Sequence, residues 1–150
     1  MIVKKYIVLM MLNTKLIALR NYKFILREIV KLRNAVAHNS CVLSELDKKD
    51  NLHRADTLVI NYLRECGVGK ETRSNKLSNS RIRQMTYALY MFNEIVTSNG
   101  IKKNVTEDIN ELFFGRIIRH KEYYNNNGLL KSVYLYFKKI IEKNYDVDSD

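Results

Sequence analysis

Tyr22-Lys23-Phe24-Ile25-Leu26-Arg27-Glu28-Ile29-Val30-Lys31-Leu32-Arg33-Asn34-Ala35-Val36-Ala37-His38 holds neither glycine nor proline and repeats an apolar side chain every third or fourth residue. Tyr22, Ile25, Leu26, Ile29, Leu32 and Val36 mark one side of a helical wheel, while Lys23, Arg27, Lys31 and Asn34 fall elsewhere. That period describes an amphipathic α-helix with one face against a core. The texture extends outward in both directions. The 150-residue chain has no proline and only five glycines, and Leu, Ile, Lys, Arg, Asn and Tyr dominate. Long segments without a breaker predict an all-α domain, a helical bundle of about five to six helices.

Before the quoted run, Lys4 to Arg20 reads as a first helix, with a break at Asn21. The quoted run is the second. A loop follows, which Cys41, Val42 and Leu43 are expected to tuck onto the core. Asp50 or Asn51 caps a third helix reaching Cys66, and Gly67 and Gly69 end it. Lys70 to Asn79 is polar and basic and reads as a mobile loop. Ser78 or Asn79 caps a fourth helix, with Ile82, Met85, Leu89, Phe92 and Val96 inward and Asn99-Gly100 as its stop. Thr106 caps a fifth, running to about Tyr124. Asn125-Asn126-Asn127-Gly128 separates it from a last helix, Leu129 to Asn144, which buries Leu130, Val133, Phe137, Ile140 and Ile141. One domain over residues 1–145 and a frayed acidic tail over 146–150 complete the expected organisation.

Ile7 to Leu12 is an apolar run, but Asn13, Thr14 and Lys15 interrupt it. It falls short of the ~20 residues of a membrane span, and no small-residue cleavage site follows. The segment reads as a buried helix of a cytoplasmic protein with no membrane partner, a degenerate membrane anchor being the minor reading. Cys41 and Cys66 have no metal-ligand spacing and look like reduced thiols that pack. No carboxylate cluster is evident, so neither a metal nor a cofactor is expected.

The formal charge of +10 is unevenly spread. Residues 1–37 hold eight basic side chains and one acid, Glu28, whereas from residue 107 onward eight acids face seven bases. Lys70, Arg73, Lys76, Arg81 and Arg83 add a second basic stretch. Such a field suits a polyanion, nucleic acid being the usual one, and an ordinary solvated surface explains it as well; those five side chains are the candidate RNA-docking surface outside the motif. Tyr22, Tyr87, Tyr90, Tyr123 and Tyr124 either stack on unpaired bases or pack in the core or an interface. His53 and His120 read as surface residues, the latter beside Arg119 and Lys121.

Arg33, Asn34 and His38 carry the chemistry. Ribose brings its own nucleophile, so metal-free RNA cleavage asks for proton transfer and for charge stabilisation at phosphorus. An imidazole moves protons near neutral pH. A guanidinium grips two phosphate oxygens. Asn34 and His38, four apart, share a helix face. Arg33 and His38, five apart, stand about 140° from one another on an ideal helix. Convergence therefore needs the arginine stem to swing, the helix to loosen at its end, or a second copy to complete the site. By spacing alone, a surface arginine and a helix-end histidine explain the pair better than a site does.

Leu32-Arg33-Asn34-Ala35-Val36-Ala37-His38-Asn39-Ser40-Cys41-Val42-Leu43 resembles the signature of the Abi (abortive infection) proteins, a branch of the HEPN superfamily. That signature is an arginine, a polar residue, three to five further residues, then a histidine. Lys76-Leu77-Ser78-Asn79 leading into a helix rich in Met, Tyr and Phe is similar to the same group. The resemblance spans residues 20–142, its specific part 32–43. It implies a HEPN-like helical bundle, metal-independent endoribonuclease activity and a homodimer through the motif helices. It also implies a phage-defence or toxin role with an antitoxin or regulatory partner. Arg33 and His38 would be the catalytic pair and Asn34 the supporting polar residue. Members carry a longer helical region before the motif, so a short relative and an inactive C-terminal fragment lacking N-terminal helices both fit. Some members bind RNA or nucleotide without cutting, which leaves a non-catalytic RNA- or protein-binding module as the alternative.

Overall fold

The computed structural model of the chain describes residues 22–50 and 55–145. The expected first helix over Lys4 to Arg20, His53 and the acidic tail lie outside the described residues. Within them the chain is all-helical, and no strand occurs. Six helices follow in order: α1 (22–37), α2 (Thr57–Glu65), α3 (Lys70–Leu77), α4 (Ser80–Ile95), α5 (Asn99–Asn110) and α6 (Gly128–Asn144). Short 3-10 turns sit at Val42–Glu45 and Lys121–Tyr123. The chain leaves α5 through a π-helical segment, Glu111–Arg116, and one last α turn, Ile117–Arg119.

α4 is the hub. Ile82, Arg83, Gln84, Thr86, Tyr87, Tyr90 and Met91 are all buried, so most of its circumference is covered. α6 supplies Val133, Tyr136, Phe137, Ile140 and Ile141, as its period requires. Burial of such side chains contributes about 1.5–3 kcal/mol each. Val59 and Leu63 of α2, Leu77 of α3 and Ile25 of α1 join the same cluster. Thr86 bonds its hydroxyl to Ile82 O (2.7 Å) and shares a hydrogen bond with the Tyr136 hydroxyl (2.9 Å). α5 buries no residue completely and docks through half-buried Ile109, with Phe113 of the π segment stacked on Tyr134 of α6.

Helix ends differ from expectation in instructive ways. The cap of α2 is Asp56, whose carboxylate accepts from Leu58 N at 2.8 Å, rather than Asp50 or Asn51. Gly67 ends α2 with a φ of 70°, a left-handed conformation that glycine adopts without strain. Lys70–Leu77 is a helix, not a loop. Lys76 and Leu77 are its buried anchors, and a single apolar residue gave no stripe to read. Asn99-Gly100 starts α5 instead of stopping α4, because the backbone already turns extended at Val96. Thr106 therefore lies inside α5. Cys41 and Leu43 are exposed, and Leu46, 4% exposed, anchors that loop in their place. Cys66 packs in the core as expected, and burial pushes its thiol up.

α1 is a helix over the expected span, but rotated. Leu26 and Val36 are 47% and 58% exposed, and the buried stripe runs through Ile25, Glu28 and Ala35. The reason is Glu28, which seeks Arg83 on α4 and turns the helix with it.

Candidate functional site

The end of α1 builds one wall of a cleft. Asn39 takes a φ of 52°, which asparagine tolerates better than most side chains. Its N–H donates to Val36 O (3.0 Å), and Ser40 N donates to Ala35 O (2.9 Å). These two bonds form the Schellman closure. His38 is thereby fixed as the last residue before the left-handed turn, with its N–H on Asn34 O at 3.0 Å.

The loop after α1 and the first turn of α4 build the other walls. Asn79 is the hinge between them. Its Oδ1 accepts from Ile82 N (2.9 Å) and caps α4. Its Nδ2 donates to Glu45 O (2.7 Å) and Lys48 O (2.6 Å). Asp50 N adds a bond to Ser78 O at 2.6 Å. The loop carrying Glu45 and Asp50 is thus tied to the start of α4, where Arg81 and Arg83 project.

The cleft is open to solvent and holds about 530 Å³. Asn34 and His38 line it, and so do Arg81 and Arg83. Arg33 does not. It is exposed, and its Nη1 donates to Asn34 Oδ1 at 3.0 Å from beside the cleft. The structure therefore brings His38 and Asn34 together and leaves Arg33 one hydrogen bond away from the cleft lining. The His38 ring makes no hydrogen bond or ion pair among the described residues.

Of the five cations expected to dock RNA, the two on α4 reach this cleft. Arg83 is 1% exposed and internally engaged. Its Nη1 donates to Leu77 O (2.9 Å), and its Nη2 lies 3.1 Å from Asp50 and 3.6 Å from Glu28. Arg81 is held by Glu45 (3.2 Å) and Gln84 (3.1 Å). Lys76, 6% exposed, donates to Ser132 Oγ at 2.7 Å, and Arg73 donates to Val68 O. Lys70 is exposed at the start of α3. Burial accounts for Tyr87 and Tyr90, which are core residues. Tyr22 and Tyr124 are half-buried, and Tyr123 is exposed and stacks with exposed His120.

Glu28, Glu45 and Asp50 had no part in the site read from the sequence, yet they set the cleft's electrostatics. Glu28 is 1% exposed. Burial raises its carboxyl, but hydrogen bonds from Lys31 (2.5 Å) and Gln84 (3.4 Å) and the charges of Lys31 and Arg83 outweigh it. The net effect holds the group below the ordinary carboxylate value. Glu45 is lowered by its hydrogen bond from Lys48, then by the charges of Lys48 and Arg81. Among the described residues, no group of three or more His, Cys, Asp or Glu is placed to hold a metal ion. No helix among them is long and apolar enough to cross a membrane.

Neither a family model, nor a curated protein, nor a solved structure matches the chain.

Proposed function

We propose that this chain is a metal-independent endoribonuclease of a phage-defence or toxin system. It cuts single-stranded RNA by attack of the ribose 2′-hydroxyl on the adjacent phosphodiester. The observation that supports the reading is that His38 and Asn34 open onto one cleft that also carries two guanidinium groups. His38 transfers a proton, either from the 2′-hydroxyl or to the departing 5′-oxygen. Asn34 binds a sugar hydroxyl or orients the imidazole, and Arg33, bonded to Asn34, meets the phosphate from the rim. The products are a 2′,3′-cyclic phosphate and a 5′-hydroxyl end.

The same reading pairs two copies through their α1 helices, whose outer faces expose Leu26, Val30 and Val36. Each copy then lends a histidine, one as base and one as acid. The resemblance of Arg33-Asn34 and His38 to the HEPN signature supports the choice of RNA, and a neutralising antitoxin is the expected regulatory partner.

The test is incubation of the full chain with labelled single-stranded RNA in excess EDTA. Wild type should nick it, His38→Ala should lose at least about 100-fold in rate, and expression of wild type alone should slow host growth. The second reading, a non-catalytic RNA- or protein-binding module, draws on the placement of Arg33 outside the cleft lining. Intact RNA after prolonged incubation, with binding equal in wild type and His38→Ala, would establish it.

A further inference from the structure

We propose that Arg81, from the second residue of α4, is the phosphate-gripping guanidinium of this cleft, facing the chemistry that His38 performs. The inference rests on the RNA reading above and goes beyond it, because no part of the motif contains Arg81.

Three observations carry it. The first is preorganisation. Arg81 Nε is fixed by Glu45 at 3.2 Å and Nη1 by Gln84 at 3.1 Å, while Nη2 has no partner among the described residues. A guanidinium held at two of its three nitrogens presents the third in a set direction, so little rotamer freedom is lost when a phosphate arrives. Arg33, by contrast, is exposed and makes one side-chain hydrogen bond among the described residues.

The second is charge. Lys31, Arg81 and Arg83 line the cleft against Glu28, Glu45 and Asp50, so the charges of its described lining balance. Glu45, however, is divided between Arg81 and Lys48, which does not line the cleft, so Arg81 holds only a share of one carboxylate. An anion of one charge, which is what a phosphodiester carries, meets the part of the Arg81 charge that Glu45 leaves unanswered.

The third is the surrounding backbone and interior. Arg81 stands in the first turn of a 16-residue helix, where the partial positive charge of the macrodipole gathers. Beneath it, Arg83 is 1% exposed, lines the same cleft, and has an Nε–H without an acceptor among the described residues. Its charge is met by Glu28 and Asp50, but an anion in the cleft would offer the acceptor that this buried Nε–H lacks.

The geometry also ranks the competing carboxylate. Glu45 occupies the edge of Arg81 that a second phosphate oxygen would use. A glutamine there keeps an acceptor for Nε, so the guanidinium stays placed, and removes the negative charge that competes with the phosphate.

The experiment measures binding of fluorescently labelled, single-stranded 2′-O-methyl RNA by anisotropy. This probe has no free 2′-hydroxyl, so affinity is read apart from cleavage. Arg81→Ala should weaken binding at least about tenfold. Lys103→Ala, the same charge change on α5, should shift it less than about twofold. Glu45→Gln should tighten binding about two- to threefold, a gain that a misfolded variant does not produce. Wild-type binding with Arg81→Ala matching Lys103→Ala overturns the proposal. So does Glu45→Gln binding more weakly than wild type, or no binding by wild type at millimolar protein. If native RNA stays intact in EDTA while Arg81→Ala still loses affinity, the cleavage reading fails and the phosphate site stands.

Discussion

Arg83→Met removes one partner from a buried ion pair and keeps most of the side-chain volume. Breaking such a pair costs about 3–5 kcal/mol, since the abandoned charge stays in a poorly solvated place. Here Glu28 retains Lys31 at 2.5 Å and Gln84 at 3.4 Å, which argues for the lower end, about 3 kcal/mol. For a domain of this size that corresponds to a Tm lower by about 10 °C. Glu28→Leu leaves Arg83 with Asp50 and Leu77 O, and about 2 kcal/mol is expected. The double variant, apolar on both sides, should return to within about 1 kcal/mol of wild type. Urea unfolding of the four proteins gives the coupling energy directly. The pair also ties stability to pH. Because Glu28 sits below its unfolded value, the unfolded chain takes up the proton first on acidification. Its stabilisation is full above the ordinary carboxylate range and drains away as pH falls through the folded value. Variants carrying Glu28→Leu should show a shallower acid limb. A loss below about 1 kcal/mol for Arg83→Met, or strict additivity of the two single losses, would refute the account.

Asn79→Ala should cost about 3 kcal/mol, about one for the cap of α4 and about one for each carbonyl left without a donor. Asn79→Asp keeps the capping oxygen and should lose less; equal losses in urea unfolding would show that the cap contributes nothing, and no loss for Asn79→Asp would show that the loop ties contribute nothing. Lys76→Met should be neutral or stabilising by up to about 1 kcal/mol, since it replaces a buried ammonium whose bond is to the neutral Ser132 hydroxyl. Burial lowers that ammonium's pKa, so wild type should gain on Lys76→Met as pH rises toward the ordinary lysine value; thermal melts at neutral and alkaline pH check the difference.

α4 and α6 were legible because capping residue and apolar period agree: Asn79 and Asn127 each accept from a backbone N–H three residues on, where the stripe begins. α3 was not, because Lys70-Glu71-Thr72-Arg73-Ser74-Asn75-Lys76-Leu77 offers one apolar residue and its order comes from packing. Asn99-Gly100 misled because both residue types serve at either end of a helix; the direction of the break depends on the extended backbone at Val96. At the site, Asn34 and His38 are local neighbours and could be read as a pair. Their partnership with Arg81 depends on Asn79 fastening a distant loop, which no local pattern encodes. Glu28 did leave a trace. It is the one acid among residues 1–37 and falls on the line through Ile25, Leu32 and Ala35, where a charge needs a buried partner.

The widened turn at Glu111–Arg116 bears on how the chain tolerates a change of length. A π turn contains one residue more than the α turn it replaces, so deleting a residue there restores a regular helix and leaves the segments on either side close to their present faces. Beyond it come Ile117–Arg119 and the turns to Asn126 before Asn127 starts α6 with its own cap, so what change remains ends in a connection. The same deletion inside α4 would swing Tyr87, Tyr90 and Met91 out of the interior.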